Sequence, residues 1–214
     1  PMTITVRRLG IQPYETVWNA MRCFTKERGS QTADEIWILQ HEPVLTLGTQ
    51  ADASNIFPGN TLPVVQSDRG GEVTYHAPGQ IVAYPLLDLR RRHLLIRPLV
   101  RRIEQAMLDT LSGFGIPAQL HDNAPGVYVP SEGGAGEFQG IAKIGALGLK
   151  VSRGCSYHGC SLNVSMDLSP FSRINPCGYP GLRTTDMAHA GFRGSYAEAE
   201  ESLIQHLIKN IEND

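Results

Sequence analysis

Nothing in this chain approaches the run of about 20 apolar residues that a membrane-spanning helix needs, and its first residues carry no signal-peptide pattern. Neither a membrane protein nor an exported one is expected. Charge of one sign is also missing: 19 Lys and Arg against 21 Asp and Glu leave a formal net charge of −2, so no overall basic field points to nucleic acid. Cysteine is scarce. Cys23, Cys155, Cys160 and Cys177 are irregularly spaced, which suits a reduced, cytoplasmic protein better than a disulfide scaffold. Cys155-Ser-Tyr-His158-Gly-Cys160 holds zinc-ligand residue types, but no second ligand pair stands at finger spacing, and neither metal nor cofactor is expected. Repeats and charge-rich linkers are absent too, so residues 1–214 read as one domain, with Pro1 ahead of Met2 as an expression remnant.

What the chain does contain is periodicity. Thr3 to Leu9 alternates as an opening strand, and Pro13 starts a helix whose Val17, Met21 and Phe24 share a face until Gly29. Glu35 to His41 reads as a buried strand closed by Pro43, with Val44 to Leu47 a further short run. Val64-Val65 and Ile81 to Leu89 are expected strands around a glycine-rich connection. Leu99, Ile103, Met107 and Leu111 make the stripe of a helix from Pro98 to Phe114, stopped by Gly115. Strands follow at Gly126 to Val129, Ile141 to Val151 and Ser161 to Met166, and the glycine-rich 131–140 segment reads as a flexible hairpin loop. Ser195-Tyr-Ala-Glu198 is a capping box opening a last helix, with Leu203, Leu207 and Ile211 on one face. Helices and strands do not alternate strictly, so the expected class is α/β of the α+β type, a mixed β-sheet with packed helices.

Three segments could carry chemistry. Ile174-Asn-Pro-Cys177-Gly-Tyr-Pro-Gly181 is too rich in proline and glycine for helix or central strand, so its thiol rides on a loop that ligands can reach. Upstream, Lys143 is a cation on the small apolar strand Ala142-Lys-Ile-Gly-Ala146-Leu147-Gly148. A loop thiol with an out-of-place lysine suggests acyl transfer; the plain alternative is an inert buried thiol and an edge-strand solubility residue. Asp68-Arg69-Gly70-Gly71-Glu72-Val73-Thr74-Tyr75-His76-Ala-Pro-Gly79-Gln80 is the second segment, polar residues between glycine turns. It lacks P-loop spacing and suits a ligand loop or a structural hairpin alike, with His76 by itself reading as structural. The third, Ser156-Tyr-His158-Gly159-Cys160-Ser161, would form a hairpin with the Lys143 strand, its glycines marking either close approach of another chain or ligand, or a bulge.

The motifs Arg69-Gly70-Gly71-x-x-Thr74-Tyr75-His76-x-Pro78-Gly79-Gln80, Lys143-Ile-Gly-Ala-Leu-Gly148 and Asn175-Pro176-Cys177-Gly178 resemble those of the octanoyltransferases called lipoate–protein ligase B. Pro13-Tyr14, Asp34-Glu35-Ile36-Trp37 and Asp167-Leu-Ser-Pro-Phe171 also match, in register from about residue 6 to residue 183. The resemblance implies a biotin/lipoyl-ligase-like fold and transfer of octanoyl from acyl carrier protein to a lysine of lipoyl domains, in 2-oxoacid dehydrogenase complexes and the glycine cleavage system. It gives Cys177 the role of thioester-forming nucleophile and Lys143 that of thiolate stabiliser and acid/base. The substrate pocket it implies is Arg69 to His76, Ala146 to Gly148 and Gly159 to Ser161, with His158 orienting. Segment 131–140 is a possible insertion in that pattern, and Cys160 a second thiol that could confuse labelling.

An oxyanion in such a reaction needs backbone donors, for which Leu147-Gly148 and Gly79-Gln80 are the candidates. Arg90, Arg91, Arg92, His93, Arg97, Arg101 and Arg102 form a local basic cluster that would draw an acidic carrier, or that simply solvates a helix start. Neither nucleic acid nor membrane is an expected partner, and a monomer is expected. Other readings are an ATP-dependent lipoate or biotin ligase, a cysteine thioesterase, or a binding module in which Cys177 is structural.

Overall fold

The computed structural model describes residues 3–213; Pro1, expected as an expression remnant, lies outside the described residues. The chain runs β1 (Ile4–Gln12), α1 (Tyr14–Glu27), β2 (Asp34–His41), β3 (Val44–Leu47), β4 (Val64–Gln66), β5 (Val73–His76), β6 (Gln80–Leu86), α2 (Ile96–Gly113), β7 (Val127–Pro130), β8 (Ile141–Ser152), β9 (Cys155–Asn163), β10 (Arg183–Thr184) and α3 (Tyr196–Glu212). A mixed seven-stranded sheet has the order β1-β2-β6-β9-β8-β10, with β7 also paired to β8. A separate three-stranded sheet, β4-β3-β5, stands beside it. No helix among the described residues is long and apolar enough to cross a membrane.

Strand alternation sorts the core. Ile36 and Ile38 of β2 pack with Leu99, Ile103 and Met107 of α2 and Leu203 and Leu207 of α3. Trp37 and Leu39, pointing the other way, meet Val17 and Met21 of α1. That two-sided burial is why β2 reads as a continuous apolar run rather than an alternating one. The α3 capping box forms as expected: Ser195 Oγ accepts from Glu198 N at 3.1 Å and Glu198 Oε2 accepts from Ser195 N at 2.6 Å.

Several elements differ in extent from the sequence reading. β5 forms inside the supposed glycine-rich connection, pairing antiparallel with β3. β6 ends at Leu86, because Asp88 Oδ1 accepts the Arg90 and Arg91 N–H groups, both at 3.1 Å, and turns the chain. β9 starts at Cys155 and stops at Asn163, where Val164 and Ser165 donate to Gly79 O instead of a ladder. α2 starts two residues before Pro98, whose missing N–H falls in the first turn, where no intrahelical acceptor is available. Segment 131–140 links β7 to β8 and is anchored by Phe138, which is buried against Tyr128 and Tyr179.

The basic cluster is only partly solvated. The Asp34 carboxylate, fully buried, accepts from Arg28 Nη2 at 2.6 Å, Arg91 Nη2 at 2.7 Å, Arg92 Nε at 2.5 Å and the Asp88 N–H at 2.8 Å. Arg102 donates to Ile211 O at 2.8 Å. Arg91, Arg92 and Arg102 therefore clamp elements together rather than face a partner. Burial raises the Asp34 carboxyl, but the Asp88 N–H and the Arg28 and Arg92 guanidinium groups outweigh it and hold it below the ordinary carboxylate value. Asp34→Asn, which leaves guanidinium groups without their counter-charge, is expected to cost about 3–5 kcal/mol in urea unfolding; a loss below about 1 kcal/mol would show that the cluster does not depend on the carboxylate.

Candidate active site

Cys177 sits on a one-turn 3-10 segment, Pro176–Gly178, with φ +57°, and Gly178 follows at φ +74°. A left-handed cysteine is disfavoured by about 1–2 kcal/mol, so the surroundings impose its position: Asn175 N donates to Asn55 O at 2.9 Å and Asn175 Nδ2 to Asn55 Oδ1 at 3.0 Å. The thiol stays half-exposed. Lys143 belongs to β8 with Tyr128 of β7 and Thr184 of β10 as its cross-strand partners, and is 4% exposed. Its Nζ donates to Cys177 Sγ at 2.8 Å and lies 5.4 Å from the centroid of the Tyr128 ring. The lysine is thus interior rather than on an edge strand, and the thiol is not sealed.

Space for that amine comes from Gly126. A Cβ there would stand 2.6 Å from Lys143 Cε and 2.7 Å from Gly145 O, and φ is +130°. The buried Glu104 of α2 accepts the Gly126 N–H at 3.2 Å. Sequence reading missed both residues; a glycine opening a strand and an acid on the apolar stripe of α2 were the available signals.

The dyad opens into a cavity of about 610 Å3, within the range of small-molecule sites. Its walls are Arg69 to Thr74 and His76, Ala146 to Leu149 of β8, His158 to Ser161 of β9, and Ile96 and Val100 of α2. Tyr75 is the exception among the expected pocket residues. Alternation along β5 turns it into the small core beside β3, edge-on to Phe171 at 5.3 Å. Tyr84, Leu149, Tyr179 and the two α2 residues were not foreseen. The hairpin glycines mark close approach by the chain itself: Gly148 pairs with Gly159, and a Cβ on Gly148 would be 2.5 Å from Gly70 O.

Arg69 builds the wall rather than reaching into it. Its guanidinium donates to Thr46 Oγ1 and O at 2.8 Å, to Glu72 O at 2.7 Å and to Gly70 O at 2.9 Å. Beneath lies a cluster of Tyr14, His41, His76, Tyr84 and His158 rings. His76 Nδ1 bonds Gln80 Oε1 at 2.7 Å; burial, then neighbouring His41, holds its pKa down to about 3. Burial likewise holds His41 to about 4. His158 is buried at φ +58° and donates through Nε2 to Asp68 Oδ1 at 2.8 Å, while its Nδ1 has no partner among the described residues. Of the proposed oxyanion donors, Gly79 N is taken by Gln40 Oε1 at 2.8 Å and Gln80 N by Ala77 O at 3.2 Å. Leu147 and Gly148 line the cavity. Cys160 lines it too, but burial pushes its thiol up to about 12, so it is a poor competitor for labelling reagents.

A family model described as the lipoyl protein ligase A/B catalytic domain matches residues 13–208. An octanoyltransferase of Polynucleobacter asymbioticus is 51% identical over 211 residues, covering 98% of this chain and 99% of that protein. One from Burkholderia multivorans is 50% identical, covering 99% and 84%. The chain belongs to the octanoyltransferase family of lipoyl protein ligase A/B catalytic domains. It is therefore an acyltransferase. Among solved structures, a bipartite lipoate protein ligase from Thermoplasma acidophilum superposes with TM-score 0.73 at 15% identity, covering 100% of this chain and 86% of that one. A biotin protein ligase from Aquifex aeolicus gives 0.55 at 10%, covering 97% and 70%. These show the fold, and it is the expected biotin/lipoyl-ligase one.

The buried histidines make a pH signature. An unfolded histidine takes its proton near pH 6.5, whereas His41 and His76 wait until about 4 and about 3. The unfolded state thus binds more protons below about pH 6.5, and stability, complete above that value, falls as pH drops towards 4. Near pH 5 the two sites should add close to two protons to the uptake on unfolding, read from the slope of unfolding free energy against pH. His41→Gln should remove about one proton from that slope; an unchanged slope would refute the assignment.

Proposed function

We propose that the protein moves an octanoyl group from acyl carrier protein to the lysine amine of lipoyl domains through a thioester on Cys177, acting as a monomeric cytoplasmic catalyst. The recipients are the lipoyl domains of 2-oxoacid dehydrogenase complexes and the glycine cleavage system protein. The observation that carries this reading is the 2.8 Å contact of Lys143 Nζ with Cys177 Sγ at the mouth of an apolar-walled cavity. The names of the curated relatives supply the acyl group.

In the first half-reaction the Cys177 thiolate attacks the donor thioester carbonyl. The tetrahedral intermediate collapses with loss of the carrier thiolate, which takes a proton from Lys143. In the second, the acceptor amine attacks the Cys177 thioester, gives a proton to Lys143 and expels the Cys177 thiolate. One thioester becomes another and then an amide, so the acyl group needs no activation by ATP. Leu149 O accepts from Gly70 N, so ladder alternation turns the Leu147 N–H the same way, off β9 and towards the cavity, as an oxyanion donor. His158, with its free Nδ1, would orient the substrate.

Charge alone cannot be the whole value of the lysine. Lowering an ordinary thiol by about two pKa units raises its thiolate fraction roughly 25-fold at pH 7, but the weaker nucleophile gives back about 6- to 10-fold. Proton transfer supplies the rest. Lys143→Arg, which keeps the charge and cannot deprotonate, should lose at least about 100-fold in turnover; near-full activity would sink the acid/base role. Intact mass after incubation with octanoyl-acyl carrier protein, without ATP, should show an adduct in wild type and Cys160→Ser and none in Cys177→Ser. Free octanoate without a modified lipoyl domain would point to a thioesterase instead.

A further inference from the structure

The mouth of the cavity carries a surface that nothing in the protein uses. Leu95 is 74% exposed and Ile96 43%, adjacent in sequence, with Pro98 exposed beside them. Ile96 continues inward with Val100 as cavity wall, making an apolar track from the surface to the slot. Basic groups border it. Arg97 is exposed and makes no ion pair or hydrogen bond among the described residues; the side chains of Arg90 and Arg101 are 70% and 71% exposed, each beside one acid, Asp88 at 3.6 Å and Glu104 at 3.2 Å. Of the six arginines from Leu89 to Ile103, Arg91, Arg92 and Arg102 are spent inside the fold, which leaves Arg90, Arg97 and Arg101 facing outward in a chain of net charge −2.

The end of α2 is bare in a second sense. Its N-cap is Leu95, which makes no side-chain cap, and its first turn has no acid. The same chain gives α3 a complete capping box. Exposed leucine and an uncapped positive helix end are each unfavourable alone, and an acidic, partly apolar partner would relieve both while pairing with Arg97.

We propose that this Leu95–Arg97 surface, with Arg90 and Arg101 at its rim, docks the acyl donor: an acidic protein that delivers a tethered acyl chain past Ile96 and Val100. The inference rests on the transferase reading above. The acceptor fits the surface less well, because the lysine amine it delivers is itself a cation, which a basic rim repels, whereas the donor delivers an uncharged chain that the apolar track accommodates.

The test is the rate of Cys177 octanoylation by two donors, octanoyl-acyl carrier protein and octanoyl-N-acetylcysteamine, in wild type, Arg97→Glu, Leu95→Asp and the double variant. The protein donor should lose at least about 10-fold in kcat/KM in the double variant, and its dependence on ionic strength should flatten with Arg97→Glu. The small thioester should stay within about 2-fold, as should KM for the lipoyl-domain acceptor. Unchanged rates with the protein donor would overturn the proposal. So would equal loss with both donors, which would place the damage in the slot, or a raised acceptor KM with an unaffected donor, which would give the surface to the acceptor. Wild type that forms no acyl-enzyme from either donor would instead defeat the transferase reading itself.

Discussion

A lysine amine inside a β-sheet is tenable only if something beside it offsets lost hydration, and here that is the Cys177 sulfur at 2.8 Å together with the Tyr128 ring face. The rest of the site is arranged around keeping those groups in place. β7 and β10 flank the Lys143 position in β8, Gly126 leaves room for the stem, and Glu104 fixes the Gly126 backbone from α2. On the other side the thiol is held in left-handed backbone geometry, with Tyr179 packed on Phe138 behind it. The strain at Cys177 and the burial of Lys143 are two unfavourable features that lessen each other. Removing either group leaves the other in a place it would not choose.

The second constraint is electrostatic. Arg69 is buried with its donors spent on Thr46, Gly70 and Glu72 carbonyl and hydroxyl oxygens, so its positive charge is a fixed part of the wall rather than half of a salt bridge. Burial lowers its basicity, yet a guanidinium remains charged at neutral pH. The neighbouring His41 and His76 stay neutral down to about pH 4, so the floor adds no further positive charge under ordinary conditions. The fixed positive charge beside Cys177 is therefore that of Arg69, and it does not vary with protonation of those two histidines.

Much of this was legible in the residues because it is local. The capping box at Ser195, the two-faced burial of β2 and the Lys143 strand are written in short-range pattern. The proline and glycine around Cys177 announced a loop. What stayed hidden depends on contacts between distant segments. Asp34 looks like an ordinary polar strand start until Arg28, Arg91 and Arg92 converge on it, and the same contact removes two arginines from the apparent surface cluster. Tyr75 sits inside a motif whose neighbours line the cavity, but the pairing of β5 with β3 fixes which of them face it. Gly126 matters only because Lys143, seventeen positions later, passes over it.

The two thiols that line one cavity show how backbone, more than composition, decides chemistry. Cys160 lies in β9, where strand geometry directs its side chain onto one packed face of the sheet and burial pushes its thiol up to about 12. At pH 7 only about one such group in 10^5 is thiolate. Cys177 lies on an irregular turn, half-exposed, with an amine within hydrogen-bonding distance. Moving a cysteine from the strand to the turn changes its access to carbonyl substrates and supplies a proton partner at the same time. The proline-glycine segment around residue 177 is thus the feature that sets the two thiols apart, since a regular strand in that place would hold the sulfur as Cys160 is held.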